Sequence, residues 1–106
     1  EPGAFRLREL DQVAAKGKTA PVAIYEVLDA LPEELAAARW RTRTHYAAGL
    51  AAYRSGDFAR AVDAFAHCLA ADPTDGPAGV LSERCAEFAA TPPATWDGIT
   101  RLTRKQ

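Results

Sequence analysis

The sequence predicts a mostly α-helical fold with an N-terminal β-hairpin, an α+β arrangement. Three observations predict it. Residues up to 31 hold two runs of strand-forming residues around the turn "KGKTA". From Pro32 to about Ala90, apolar residues recur at three- and four-residue steps, the spacing of a helix face. Two breaks, "SGD" at 55–57 and "DPTDGP" at 72–77, cut that helical stretch into segments.

Each element follows from its residues. In "FRLRELDQVAAK", Phe5 and Leu7 share one alternation phase, Leu10 breaks it, and Val13 and Ala15 restart another. That pattern predicts a strand with a bulge or bend near Leu10. Gly17 supplies the positive φ of the turn. Pro21 opens a second strand, "PVAIYEVL", where proline is tolerated at the first position. Val22, Ile24, Tyr25 and Val27 place apolar groups on both of its faces, so this strand is expected to be buried on both sides in a larger fold. An isolated hairpin is marginal in water, so it is expected to dock on the helices or on a second copy.

Pro32 suits a helix start, and Glu33 and Glu34 complement its dipole. Leu35, Tyr46, Gly49, Leu50 and Tyr53 then mark one long helix, or two with a bend near Thr42. Gly56 stops it and Asp57 caps the next helix, which runs to about Ala71 with Ala61, Val62, Phe65, Cys68 and Leu69 on one face. A third helix, about 77–90, is expected to place Val80, Leu81, Cys85 and Phe88 on one face. Beyond "TPP", Trp96 is expected to pack back, and Trp96, Ile99 and Leu102 at i, i+3, i+6 are consistent with a short closing helix.

Composition narrows the function classes. The formal net charge of −1 gives no general attraction to nucleic acid or an anionic membrane, and no apolar run approaches the ~20 residues of a membrane span. Two cysteines, Cys68 and Cys85, are too few for a disulfide framework, which points to a reducing cytoplasm. There is no Met, and residue 1 is Glu, as expected of a piece of a longer protein; Arg outnumbers Lys ten to three, as in high-GC bacteria. His45, His67, Cys68 and Cys85 match no common zinc spacing, so no metal site is expected and the thiols are read as buried. In "RWRTR", Arg39 and Arg43 would share a helix face with Arg41 elsewhere, read as solvated charge rather than a nucleic-acid patch. Asp63, Glu83 and Glu87 read as exposed helix charges.

Residues 42–75 fit one tetratricopeptide unit of ~34 residues. Gly49 is the small residue that lets the second helix approach, Gly56 makes the turn, Ala61 is the small contact of the second helix, Phe65 fills the pocket between helices, and Pro73 closes the unit. His45 stands where a large aromatic is usual, with Tyr46 beside it. The helix after residue 76 looks like half of a second unit and serves as a capping helix, so packing or dimerisation is favoured over a peptide groove.

Lys16-Gly17-Lys18 brings positive charge and backbone N–H groups together at a turn, a combination suited to phosphate. The surrounding "RELDQVAAKGKTAPVAIYEVL" strongly resembles the last β-hairpin of class III nucleotide cyclase catalytic domains, through Arg8, Glu9, Leu10, Asp11, Lys16, Gly17, Lys18, Pro21, Val22, Ile24, Tyr25 and Glu26. Tyr46 to Phe65 and Trp96 to Gly98 resemble the C-terminal tails of bacterial adenylate/guanylate cyclases. The resemblance implies residues 1–31 as the end of a catalytic domain and 32–106 as a tetratricopeptide-like helical region. It implies a parent that makes cAMP or cGMP from ATP or GTP in intracellular signalling, with Mg²⁺ or Mn²⁺, in a homodimer. It assigns Lys16 to the nucleotide phosphates. The metal-binding Asp residues, the base-selecting residues and the transition-state Asn/Arg pair would precede residue 1, so this piece is expected to be non-catalytic by itself, with no cofactor of its own. The alternative is an independent tetratricopeptide adaptor for a protein partner.

Overall fold

Leu10 bends the first strand. In the computed structural model, which describes residues 5–15 and 17–101, β1 (Leu7–Ala14) pairs antiparallel with β2 (Val22–Val27), and the register slips between Glu9 and Asp11 so that Leu10 is the extra residue of a bulge. The bulge turns Leu10 toward the helices, where it packs on the core. Gly17 (φ 82°) and a Lys18 N–H to Ala15 carbonyl bond at 2.9 Å shape the described part of the connecting turn.

Among the described residues a 3₁₀ turn, Leu28–Ala30, leads into four helices: α1 (Glu33–Arg41), α2 (Arg43–Ser55), α3 (Phe58–Ala71) and α4 (Gly76–Ala90). Of the two sequence alternatives, the two-helix reading with a break at Thr42 is the one found. Gly56 (φ 86°) ends α2 in the left-handed region, and the Asp57 carboxylate accepts from the Arg60 N–H to start α3. Asp75 caps α4 in the same way. No helix among the described residues is long and apolar enough to cross a membrane.

The core lies between α2, α3 and α4. Tyr46, Leu50, Tyr53, Phe58, Ala61, Phe65, Cys68, Ala78, Leu81 and Cys85 are all buried there. Tyr46 meets Phe65 edge-on at 5.1 Å, and Trp96 packs back against Tyr53, Phe58 and Phe88 at 5.0–5.6 Å. Val80 departs from the expected stripe: it is 56% exposed, and Ala78 joins Leu81 and Cys85 inside. Val80 lies about 100° round the helix from Leu81, which takes it off the buried face.

The closing segment is not a helix. Gly98 takes φ 84°, and a side chain there would meet the Arg54 carbonyl oxygen at 2.9 Å, so the chain turns sharply after Trp96. It then forms β3 (Thr100–Arg101), which pairs in parallel with Val13 and Ala14. The hairpin is thereby extended to a three-stranded sheet of order β2-β1-β3. Leu102, the third residue of the expected helix, lies outside the described residues.

Within this chain β2 is not buried on both sides. Val22, Ile24, Tyr25 and Val27 are 40–59% exposed, because the helices pack on β1 and leave β2 at the sheet edge.

Candidate functional site

The residues of the hairpin motif converge on one junction with the helices. Arg8 reaches from β1 to Asp75 at the start of α4, with Nη1 donating to Oδ2 and Nη2 to Oδ1, each at 2.9 Å. Both side chains are almost fully buried, so this two-pronged pair is shielded from water. Arg8 Nη2 also donates to Glu26 of β2 at 2.8 Å. The other oxygen of Glu26 accepts from Arg39 of α1 at 2.8 Å, and Arg39 in turn holds Asp72 at 2.9 Å and the Thr74 carbonyl at 3.1 Å. The Arg8 guanidinium stacks over the Tyr46 ring at 4.3 Å, and the Tyr46 hydroxyl donates to the carbonyl of the bulged Leu10 at 2.9 Å.

The next motif residues continue the same contact. Glu9 pairs with Arg54 of α2 at 2.6 Å. The Thr100 hydroxyl donates to Asp11 at 2.6 Å and shares a 2.5 Å hydrogen bond with the Tyr53 hydroxyl. Four successive positions, Arg8 to Asp11, are therefore each tied to the helical part or its tail. Arg8 Nε and Arg54 Nε are buried with no hydrogen-bond partner among the described residues, a local cost of drawing these guanidinium groups into the seam.

The electrostatics follow from burial and pairing. Burial alone would lower the Arg8 pKa, but the hydrogen bonds and charges of Asp75 and Glu26 outweigh it and hold the cation well above its ordinary value. For Asp72, burial opposes ionisation, yet bonds from Thr74 and Arg39 prevail and the carboxyl titrates below its usual range. Burial pushes the Tyr46 hydroxyl up. It also raises both thiols, Cys85 to about 11, which makes them poor nucleophiles at neutral pH.

The sequence-derived positions fall as follows. Lys16 lies outside the described residues. Gly49 and Phe65 are brought together: a side chain at Gly49 would stand 2.8 Å from the Phe65 ring. Ala61 and Phe65 are fully buried, Gly56 makes the α2–α3 turn, and Pro73 is exposed in the turn before α4. Cys68 and Cys85 are buried, and Asp63, Glu83 and Glu87 are exposed. His45 stacks on His67 with ring centroids 4.2 Å apart at the surface. Among the described residues no group of three or more His, Cys, Asp or Glu is placed to hold a metal ion.

The arginine reading needs correction. Arg43 and Arg41 are exposed, with Arg43 over the Trp40 ring at 4.0 Å, but Arg39 is 5% exposed and central to the junction. Ala36, Arg39, Thr42 and Tyr46 form one buried stripe, and that phase was the available signal. Arg39 lies on that stripe and Arg43 lies off it in solvent, so the two do not share a face. Tyr53 is placed on the helix face by its spacing, while nothing local ties Thr100 or Asp75 to the hairpin.

No protein-family model matches the chain, and no solved structure matches it. Over 81 residues, 76% of its length, the chain is 31% identical to the adenylate cyclase, terminal-differentiation specific, of Dictyostelium discoideum. It spans 4% of the length of that relative. Most of the chain is thus similar to a small region of an adenylate cyclase.

Proposed function

We propose that this chain is the C-terminal regulatory and interaction region of a class III nucleotide cyclase, with the last hairpin of the catalytic domain attached to a tetratricopeptide-like helical tail. The observation that carries the reading is the junction. The motif residues Arg8, Glu9, Asp11 and Glu26 join the hairpin to the helices and the closing segment, which supports a reading in which the helices act on a catalytic domain through its last strands. The similarity to a region of an adenylate cyclase supports it.

In this reading residues 1–31 close the catalytic domain and 32–106 form the regulatory part. The preceding catalytic segment carries the chemistry with Mg²⁺ or Mn²⁺, converting ATP or GTP to the cyclic nucleotide in a bacterial cytoplasm. Lys16 contacts the substrate phosphates, where positive charge answers the charge building on the departing pyrophosphate. The exposed apolar strand β2 completes its sheet with that preceding segment, and the active form is a homodimer.

Cyclic-nucleotide production by the full-length parent tests this, with Mg²⁺ or Mn²⁺ and saturating ATP or GTP. Lys16→Ala should lower activity by about 10²-fold or more, the scale of losing one transition-state electrostatic contact. A folded dimer that makes no cyclic nucleotide from either substrate overturns the proposal and leaves the helical hairpin as an adaptor for a protein partner.

A further inference from the structure

Arg84 on α4 is half-buried and, among the described residues, makes one side-chain hydrogen bond, from Nη1 to the Tyr53 hydroxyl at 3.3 Å. Arg6, Arg8, Arg39 and Arg54 are the other buried or half-buried arginines among the described residues. Each holds carboxylates at 2.6–3.0 Å. Among the described residues no carboxylate pairs with Arg84, although a guanidinium partly removed from water is stabilised by an anion.

Arg84 lines a cleft of about 540 Å³ between the helices and the closing segment, within the ~300–1,000 Å³ typical of small-molecule sites. Phe88, Trp96 and Ile99 give it apolar walls, and Tyr53 and Thr100 add hydroxyl-bearing side chains. Arg101 and Asp97, also on the lining, neutralise each other as an ion pair. Among the described lining residues, the one charge without an ion-pair partner is therefore the Arg84 cation.

We propose that this cleft binds a small planar carboxylate, with its ring against Phe88, Trp96 and Ile99 and its carboxylate on the Arg84 guanidinium. A guanidinium presents parallel N–H donors that match a carboxylate, and the apolar walls favour a flat hydrocarbon body over a bare inorganic anion. The site is one hydrogen bond from the hairpin junction, because the Tyr53 hydroxyl that Arg84 contacts is bonded to Thr100, which holds Asp11 of β1. The proposal stands apart from the cyclase reading and is tested on this chain alone.

The test is a titration of the ¹⁵N-labelled chain with benzoate, benzamide and acetate. It is followed by the Trp96 indole N–H and the backbone amides of Thr100 and Arg101. Benzoate should saturate with a Kd on the order of 1 mM or below. Benzamide, which keeps the ring and loses the charge, should bind at least about tenfold more weakly, and so should benzoate to Arg84→Gln. Acetate, which keeps the charge and loses the ring, should also be weaker. Arg84→Lys should retain part of the affinity. Equal affinity for benzoate and benzamide on the unaltered protein overturns the proposal whether or not the variants fold. Non-saturating shifts, or shifts away from the cleft, overturn it too.

Discussion

The two strands of the hairpin meet opposite fates. β1 places Arg8, Glu9 and Asp11 against partners on α4, α2 and the closing segment, and the Leu10 carbonyl accepts from Tyr46. β2 shares the same ladder, yet Glu26 alone of its side chains is drawn into the junction, while Val22, Ile24, Tyr25 and Val27 stand 40–59% exposed. The helix-facing strand adds charged contacts to the packing of Leu10 on the core, and the outward strand is mostly apolar and exposed. Charged pairs need specific, distant partners to be stable when buried, and β1 has them. Apolar groups need only another apolar surface, and β2 offers one at a free sheet edge. Among the described residues the carboxylates of the junction find their partners within this chain, and the apolar side chains of the outer strand stay exposed.

That contrast is broken most severely at Arg8. Replacing it with Ala strands the buried Asp75 carboxylate without its counter-charge, which should cost about 3–5 kcal/mol in a urea melt. Replacing Arg8 and Asp75 together with apolar residues should recover much of that loss, since the penalty comes from the unpaired charge.

The helical packing beneath the junction is the next sensitive point. Gly49→Ala forces a methyl to 2.8 Å from the Phe65 ring and should destabilise by about 1–3 kcal/mol. Gly79→Ala, within α4 with no atom near the added methyl, should instead stabilise by up to about 1 kcal/mol. Equal effects at the two glycines would show that the Gly49–Phe65 contact is not limiting.

Acid should loosen the junction before the core. The folded-state pKa of Asp72 is depressed, so its ionised form stabilises the fold above the unfolded value of about 3.9. That contribution is lost as pH falls through the lower, folded value. Thermal melts from pH 6 down to 2 should show a drop that begins near pH 4 and is smaller in Asp72→Asn. An identical pH profile in the variant would remove Asp72 from the account.

The smallest effect is expected on the outer strand. Tyr25→Ser should change the stability of this chain by less than about 0.5 kcal/mol, because the ring is 57% exposed. The same change in the full-length protein should be far more damaging if β2 completes a sheet there. A large loss in the short chain would mean that β2 already has its partner.

The local features were legible from residues a few positions apart. The bulge at Leu10 follows from a broken alternation, the α2–α3 turn from Gly56 and Asp57, and the buried thiols from their helical phase. The close approach of Gly49 and Phe65 is foreshadowed by their spacing in one helical hairpin. The candidate site was less legible. Lys16 stands outside the described residues, and the junction links Arg8 to Asp75 across 67 positions and Asp11 to Thr100 across 89. Sequence by itself determined the two strands of the hairpin, the helical stretches after Pro32, and the stop at Gly56 with the cap at Asp57, because backbone dihedrals, capping and periodicity act within a turn or two. Only the tertiary structure decided which charges would be buried, that residues 100–101 would become a strand, and that β2 rather than β1 would face outward. Those outcomes depend on which groups meet across the fold, where burial makes each pairing mandatory for the charges involved and optional for apolar surface.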